Sequence, residues 1–333
     1  MYYLNSDVRT QALLRWLEAD LGLQIQDIAS VASDASFRRY FRVTHANGCH
    51  IVMDAPPDKE NIIPFIRNAG LLQQAQIHVP AIYAQNLEQG FLLLEDLGKQ
   101  CYLDCLAENN VQVLYQDALD TLFKLQSLID VSGCELPAYD SALLLRELGI
   151  FYEWFLEMRL GVMLPVSIKQ ALEECLVESA LQQPKVCVHR DFHSRNLMVL
   201  ELDSPGVIDF QDAVIGPITY DLVSLLRDCY IRWPESNVDD WLNGYYQRLR
   251  HAELVDVTFA KFKWWFDWMG IQRHLKAVGI FSRLDLRDDK PGYLADIPRT
   301  MSYITDICGR YAELDSFSAF LQRQVLPIYQ AKL

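Results

Sequence analysis

The stretch His189-Arg190-Asp191-Phe192-His193-Ser194-Arg195-Asn196, with Asp209 following inside Val207-Ile208-Asp209-Phe210, decides how the rest of this chain is read. An Asp able to accept a hydroxyl proton, an Asn five positions later and a second Asp ending an apolar run are the parts that metal-assisted transfer from a nucleotide requires. On this reading Asp191 orients and deprotonates an acceptor hydroxyl, while Asn196 and Asp209 offer hard oxygen ligands to Mg2+. Each residue alone is commonplace, because Asp and Asn also cap helices and close turns. The spacing tips the balance. So do the flanks, since Val186-Cys187-Val188 and Leu197-Met198-Val199-Leu200 read as short buried strands.

At 333 residues there is room for two lobes and a substantial core. A chain that is 51% hydrophobic and 22% charged, without a Gly/Ser tract, is globular. Thirty basic against 44 acidic residues give a formal charge of −14, which opposes non-specific attraction to nucleic acid or an anionic membrane, so neither is an expected partner. Residues 1–12 contain Asp7 and Arg9 and lack the apolar core of a signal peptide, and no apolar run is long enough to span a bilayer. The expected location is the cytoplasm. Of the eight cysteines only Cys101 and Cys105 lie close together, and no second ligand pair completes a zinc site; they read as reduced, mostly buried thiols.

Working outward, the spacing predicts an amphipathic helix over 7–21, a strand over 25–31, a second strand over 37–43 with Phe37, Phe41 and Val43 on one face, and a third over 49–53 after an Asn47-Gly48 turn. Ser33 and Ser36, with Asp34 between them in the tip of the first hairpin, are placed to approach phosphate through small side chains and backbone N–H groups. A helix follows over 64–76, then strands over 81–85 and 91–95. Beyond Leu97-Gly98 the pattern turns helical: 111–129, 141–160, 167–181, then 220–230, 238–250, 257–278, 292–310 and 316–329. Strands first and helices later make the class α+β.

His189 to Asn196, Ile208-Asp209-Phe210, the G-P-x-x-Y-D-L element from Gly216, and Leu92-Leu93-Leu94-Glu95-Asp96-Leu97 together resemble the aminoglycoside phosphotransferase and choline kinase family, over nearly the whole chain. The resemblance implies a two-lobed protein-kinase-like fold, with a small antiparallel-sheet nucleotide-binding lobe over 1–96 and a larger helical catalytic and substrate lobe over 97–333. It also implies ATP as co-substrate with Mg2+, and adenine recognition by backbone around Glu95 and Leu97. Ser33 to Arg42 and Asp54-Ala55-Pro56-Pro57 look closest to the bacterial anomeric kinases of cell-wall sugar recycling, which phosphorylate N-acetylmuramate and N-acetylglucosamine at C1. A small amino sugar and a nucleotide are then the expected partners. The rivals are another small-molecule kinase of the family, acting on choline, an aminoglycoside or another sugar, and an inactive kinase-like binding module. Phe210-Gln211-Asp212 lacks the glycine that follows D-F in a protein kinase, and no A-P-E follows.

One departure from the family pattern stands out. Kinases of this fold place a Lys at the end of the third strand, paired with a helix Glu. Here Met53-Asp54 occupies that place and Arg67 lies on the following helix. Either the pair is reversed, with Asp54 orienting a phosphate-binding Arg67, or Asp54 closes a turn and Arg67 is solvated; Arg38 and Arg39 are rival phosphate ligands.

For the acceptor, sugar rings lie on aromatics, so Trp154 and Trp264 are candidates, beside polar contacts from Arg227, Asp228 and Arg273. Arg273 or Arg227 would meet the carboxylate of N-acetylmuramate. His193 either contacts substrate or holds its loop, and Asp221 is expected to brace that loop.

Overall fold

The computed structural model describes residues 7–31 and 37–332, and it divides into two compact units. The first comprises Met1–Gln100 with Met198–Asp212; the second comprises Cys101–Leu197 with Ala213–Leu333. The first unit therefore runs four residues past the expected boundary and takes in the segment bearing Asp209. Ser33, Asp34 and Ser36 lie outside the described residues.

Unit one is a five-stranded antiparallel sheet in the order β1-β2-β3-β5-β4, formed by β1 (Ile25–Val31), β2 (Arg39–His45), β3 (Gly48–Asp54), β4 (Ile82–Asn86) and β5 (Phe91–Glu95). Helix α1 (Val8–Arg15) is capped by Asp7, whose carboxylate accepts from Thr10 N at 2.7 Å, and continues in wider turns over Trp16–Asp20. Its Leu13, Trp16 and Leu17 pack on Ile28, Phe41, Val43, Val52, Phe91 and Leu93. That cluster fixes which strand residues face α1. Phe37 does not join it: the residue precedes β2 and is 60% exposed, because the strand begins two residues later than its apolar pattern suggests. Helix α2 (Ile63–Gln74), with Pro64 in its first turn where no N–H partner is needed, buries Phe65, Asn68, Ala69 and Leu72.

The second unit is mostly helical: α3 (Tyr102–Cys105), α4 (Val111–Ser127), α5 (Ser141–Ile150) continuing in wider turns over Phe151–Leu160, α6 (Val166–Leu181), α7 (Tyr220–Leu226), α8 (Glu235–His251), α9 (Phe259–Asp288), α10 (Ile297–Cys308), α11 (Asp315–Phe320) and α12 (Leu326–Ala331). A two-stranded antiparallel ribbon, β6 (Lys185–Val188) against Val214–Pro217, delivers the chain to His189. The 30-residue α9 forms the spine of this unit and spans about 45 Å at 1.5 Å per residue. It runs ten residues beyond its expected end. Asp267, Gln272, Arg273, His274, Lys276 and Ser282 are all buried on it, and these polar side chains blur the apolar periodicity from which its length would be read. At Gly279 an added Cβ would meet Ile150 C and Phe151 N at 2.6 Å, so α9 crosses the α5 backbone where no side chain fits.

Candidate active site

In the second unit, the loop after β6 is held by two carboxylates, one in the first turn of α7 and one just past its end. Asp221, in the first turn of α7, accepts from His189 N at 2.6 Å and Arg190 N at 2.9 Å. Burial pushes its carboxyl up to about 6, against the opposing pull of His189 and those two N–H groups. Asp228, just past α7, accepts from Ser194 N at 2.9 Å, from Ser194 Oγ at 2.5 Å and from Tyr230 N at 2.8 Å. The chain is thus gripped on both sides of Asp191. Within the loop Asn196 Nδ2 donates to Asp191 O at 3.0 Å, and Arg190 takes a left-handed φ of 79°, a strained conformation that surrounding contacts must hold. Asp191 and Asn196 therefore sit on one braced turn, as their spacing suggests.

Beneath the turn lies a buried charge cluster that the sequence reading missed. Glu147 of α5 accepts from Arg190 Nη2 and Tyr139 Oη, each at 2.5 Å, and lies 3.1 Å from Lys276 Nζ of α9; Lys276 also donates to Tyr220 Oη at 3.0 Å. One anion thus faces two cations. Burial alone would raise the Asp191 carboxyl, but Lys276 above all, with Arg273 and Arg190, holds it well below the usual carboxylate range. Nothing local in the sequence marks Glu147 or Lys276, because their partners are distant in the chain.

His193 is buried with its Nδ1 unpartnered among the described residues, its ring edge-on to Tyr230 at 5.2 Å; burial lowers its pKa to about 4, so it is neutral at pH 7. Several expected substrate contacts have other work. Arg227 is buried against Asp267 at 2.7 Å and Glu235 at 3.0 Å, with its guanidinium over the Phe266 ring, so it is a neutralised structural cation. Asp228 spends Oδ2 on Ser194 of the loop and Oδ1 on Tyr230 N. Trp264 packs against the core, with Trp268 at 5.1 Å between ring centroids and Lys261 Nζ 3.7 Å from its ring centre. Trp154 is half-buried in the turns after α5. Arg273 is buried with its Nη1 3.5 Å from Cys229 Sγ, and its charge helps hold Asp191 ionised.

In unit one, Asp209 also has a left-handed φ, 66°, and its Oδ1 accepts from Gln211 Nε2 at 2.7 Å. Asn68 of α2 donates to Phe210 O and Gln211 O, both at 3.0 Å, and the Phe65 ring packs tilted by 38° against Phe210 with centroids 4.7 Å apart. Helix α2 thus positions the segment bearing Asp209. Arg67 Nε donates to Asn68 Oδ1 at 3.1 Å, which keeps Arg67 beside that segment.

The proposed pairing of Asp54 with Arg67 is corrected. Asp54 lies opposite Arg39 in the β2–β3 register and on the same face as Val52, the face covered by α1. Its fully buried carboxylate takes Arg39 Nε at 3.0 Å and Arg9 Nε at 2.9 Å, while Asp7 takes the other side of Arg39 at 2.5 Å. Strand alternation puts Met53, and not Asp54, on the opposite face. Arg38 instead pairs with Glu60 at 3.1 Å. At the end of β5, Glu95 N donates to Ala81 O at 2.9 Å and Glu95 Oε2 accepts from Ala81 N at 3.1 Å; Leu97 is buried. Asp96 holds Arg42 at 2.6 Å and Gly98 N at 3.0 Å.

Among the described residues, no group of three or more His, Cys, Asp or Glu side chains could hold a metal ion, and no helix is long and apolar enough to cross a membrane. All eight cysteines are free thiols.

The chain is 46% identical over 322 residues to an N-acetylmuramate/N-acetylglucosamine kinase of Pseudomonas putida, covering 92% of this chain and 94% of the relative. A protein of the same name from Pseudomonas aeruginosa is 44% identical over 332 residues, covering 96% and 97%. Among solved structures, the choline kinase LicA of Streptococcus pneumoniae superposes with a TM-score of 0.64 at 14% identity, over 89% of this chain and 99% of that one, which supports the protein-kinase-like α+β fold. A family model described as the phosphotransferase enzyme family matches residues 27–255, a span that holds both the Asp191 loop and Asp209. With the braced H-R-D-x-x-x-x-N turn in place, that match identifies the chain as a member of the phosphotransferase enzyme family, and an enzyme.

Proposed function

We propose that this protein transfers the γ-phosphoryl group of ATP to the anomeric C1 hydroxyl of N-acetylmuramate and N-acetylglucosamine. The observation that carries the reading is near-full-length similarity, at 46% identity, to a kinase named for those two sugars. The state of Asp191 supports it. A carboxylate held so firmly ionised is a weak base and a good hydrogen-bond acceptor, suited to orienting a hydroxyl more than to stripping its proton early. An anomeric hydroxyl is more acidic than an ordinary alcohol and needs little more than orientation.

Asn196 and Asp209 are the residues that would hold Mg2+. The Asn196 amide nitrogen is engaged by the Asp191 carbonyl, so its oxygen is the atom suited to a hard cation, and Asp209 adds a carboxylate. Two such donors fit Mg2+, which takes few protein ligands and completes its shell with water and phosphate oxygens. Bound there, the ion would neutralise charge developing on the transferred group. On the phosphate side, the candidates are the backbone and hydroxyls of Ser33 to Ser36, together with Arg38 and Arg67. Arg39 is committed to Asp54 and Asp7. The backbone around Glu95 and Leu97 is the candidate adenine contact.

Phosphate transfer from ATP should be measured across N-acetylmuramate, N-acetylglucosamine, choline and aminoglycosides, with ³¹P NMR of the product. An anomeric phosphate is expected. A phosphate on any other oxygen, or a preference for choline or an aminoglycoside, would refute the proposal.

A further inference from the structure

Among the described residues, Arg227, Arg273 and Lys276 are the buried arginine and lysine side chains of the second unit, and two of the three are neutralised. Arg227 has Asp267 and Glu235, and Arg190 and Lys276 share Glu147. Arg273, 5% exposed, has no carboxylate at salt-bridge distance among the described residues: Nη1 reaches only Cys229 Sγ at 3.5 Å, and Nε has no partner. A guanidinium taken out of water without an anion is costly, and a buried polar group left unmatched calls for an explanation. Desolvation works against its charge, yet the ionised form persists, through Cys229, Tyr220, Asp191 and Asp228.

The place of this cation matters. Arg273 lies on α9 one turn before Lys276, and its Nη1 meets Cys229, the chain neighbour of the Asp228 that grips Ser194 of the braced turn; its charge also helps hold Asp191 ionised. His193 Nδ1, a second buried atom without a partner, belongs to the same turn and also feels the Arg273 charge. Two unmatched polar groups beside the acceptor-orienting carboxylate describe a subsite that a polar, anionic ligand completes. The two proposed acceptors differ in one ionised group: N-acetylmuramate carries a lactyl carboxylate and N-acetylglucosamine does not.

Resting on the acceptor reading above, we infer that Arg273 is the specificity-determining residue that receives the carboxylate of N-acetylmuramate. A planar guanidinium with open N–H groups matches a carboxylate in two-pronged fashion, a geometry lysine cannot reproduce. Arg227, the other arginine considered for this task, is excluded by its own two carboxylates.

The test is the ratio of kcat/KM for N-acetylmuramate to that for N-acetylglucosamine, which cancels any effect on Asp191 common to both. In Arg273→Met the ratio should fall about ten- to a hundredfold, as for losing a hydrogen-bonded charge pair, with KM for N-acetylmuramate rising most. Arg273→Lys, which keeps the charge and guards against misfolding of the first variant, should lower the ratio several-fold. Arg227→Met should leave it unchanged. If the wild type uses both sugars and the ratio stays within about twofold in both Arg273 variants, or follows Arg227 instead, the inference is overturned while the acceptor reading stands. A wild type that uses neither sugar would overturn both.

Discussion

Glu147→Gln is the most telling perturbation of the loop support. The wild-type carboxylate is 3% exposed, accepts two hydrogen bonds at 2.5 Å and has Lys276 Nζ at 3.1 Å. The substitution preserves shape and removes one charge, so two buried cations are left facing a neutral amide. Breaking a buried ion pair from one side costs about 3–5 kcal/mol, a large part of the roughly 5–15 kcal/mol that holds a domain together. Removing Lys276 as well leaves Arg190 as the one cation and returns the cluster to its wild-type excess of a single positive charge. We therefore expect Glu147→Gln alone to destabilise the second unit by about 3 kcal/mol, and Glu147→Gln with Lys276→Met to recover about 1–3 kcal/mol of that as coupling. Urea unfolding followed by tryptophan fluorescence is the assay, because six of the seven tryptophans (all but Trp16) lie in the second unit. A loss below about 1 kcal/mol, or strictly additive variants, would show that the cluster is not a coupled charge balance.

Three further outcomes are expected. Asp191→Asn should lose about 10²- to 10⁴-fold in turnover while nucleotide binding by calorimetry persists; near-normal turnover would remove Asp191 from its role. His274 is buried against the Arg227 carbonyl at 2.8 Å, and burial lowers its pKa from 6.5 to about 3. A base whose folded pKa is depressed contributes stability that is complete above pH 6.5 and is lost as pH falls toward 3, so melting temperature should drop between pH 7 and 5; His274→Gln should flatten that drop, with His193 keeping part of it, and an unchanged slope would contradict the assignment. Asp54→Asn should destabilise the first unit by about 3 kcal/mol, whereas Arg67→Ala should weaken ATP binding with little loss of stability; the reverse pattern would restore Asp54 to the phosphate side.

What could be read in the sequence, and what could not, follows a physical divide. The H-R-D turn, β1 and β5 rest on short-range spacing and local composition, and they stand where those signals place them. The direction in which Asp54 points depends on strand parity relative to a helix forty residues earlier, and Met53-Asp54 reads alike for either face. Arg227 and Arg273 look equivalent as sequence; only the carboxylates folded against one of them set them apart. Glu147 lay unmarked for the same reason: its importance comes from Arg190 and Lys276, 43 and 129 positions away (190 − 147 and 276 − 147).

The contact at Gly279 bears on how the second unit can move. With the α5 backbone pressed so close that a methyl group has no room, α9 cannot slide along its axis or roll without forcing backbone through backbone. Shear, the small sliding by which packed helices usually adapt to a ligand, is closed to it. Arg273 and Lys276 ride on that locked helix less than two turns away, so accommodation of different acceptors falls to side-chain rotamers and to the acceptor's own pose.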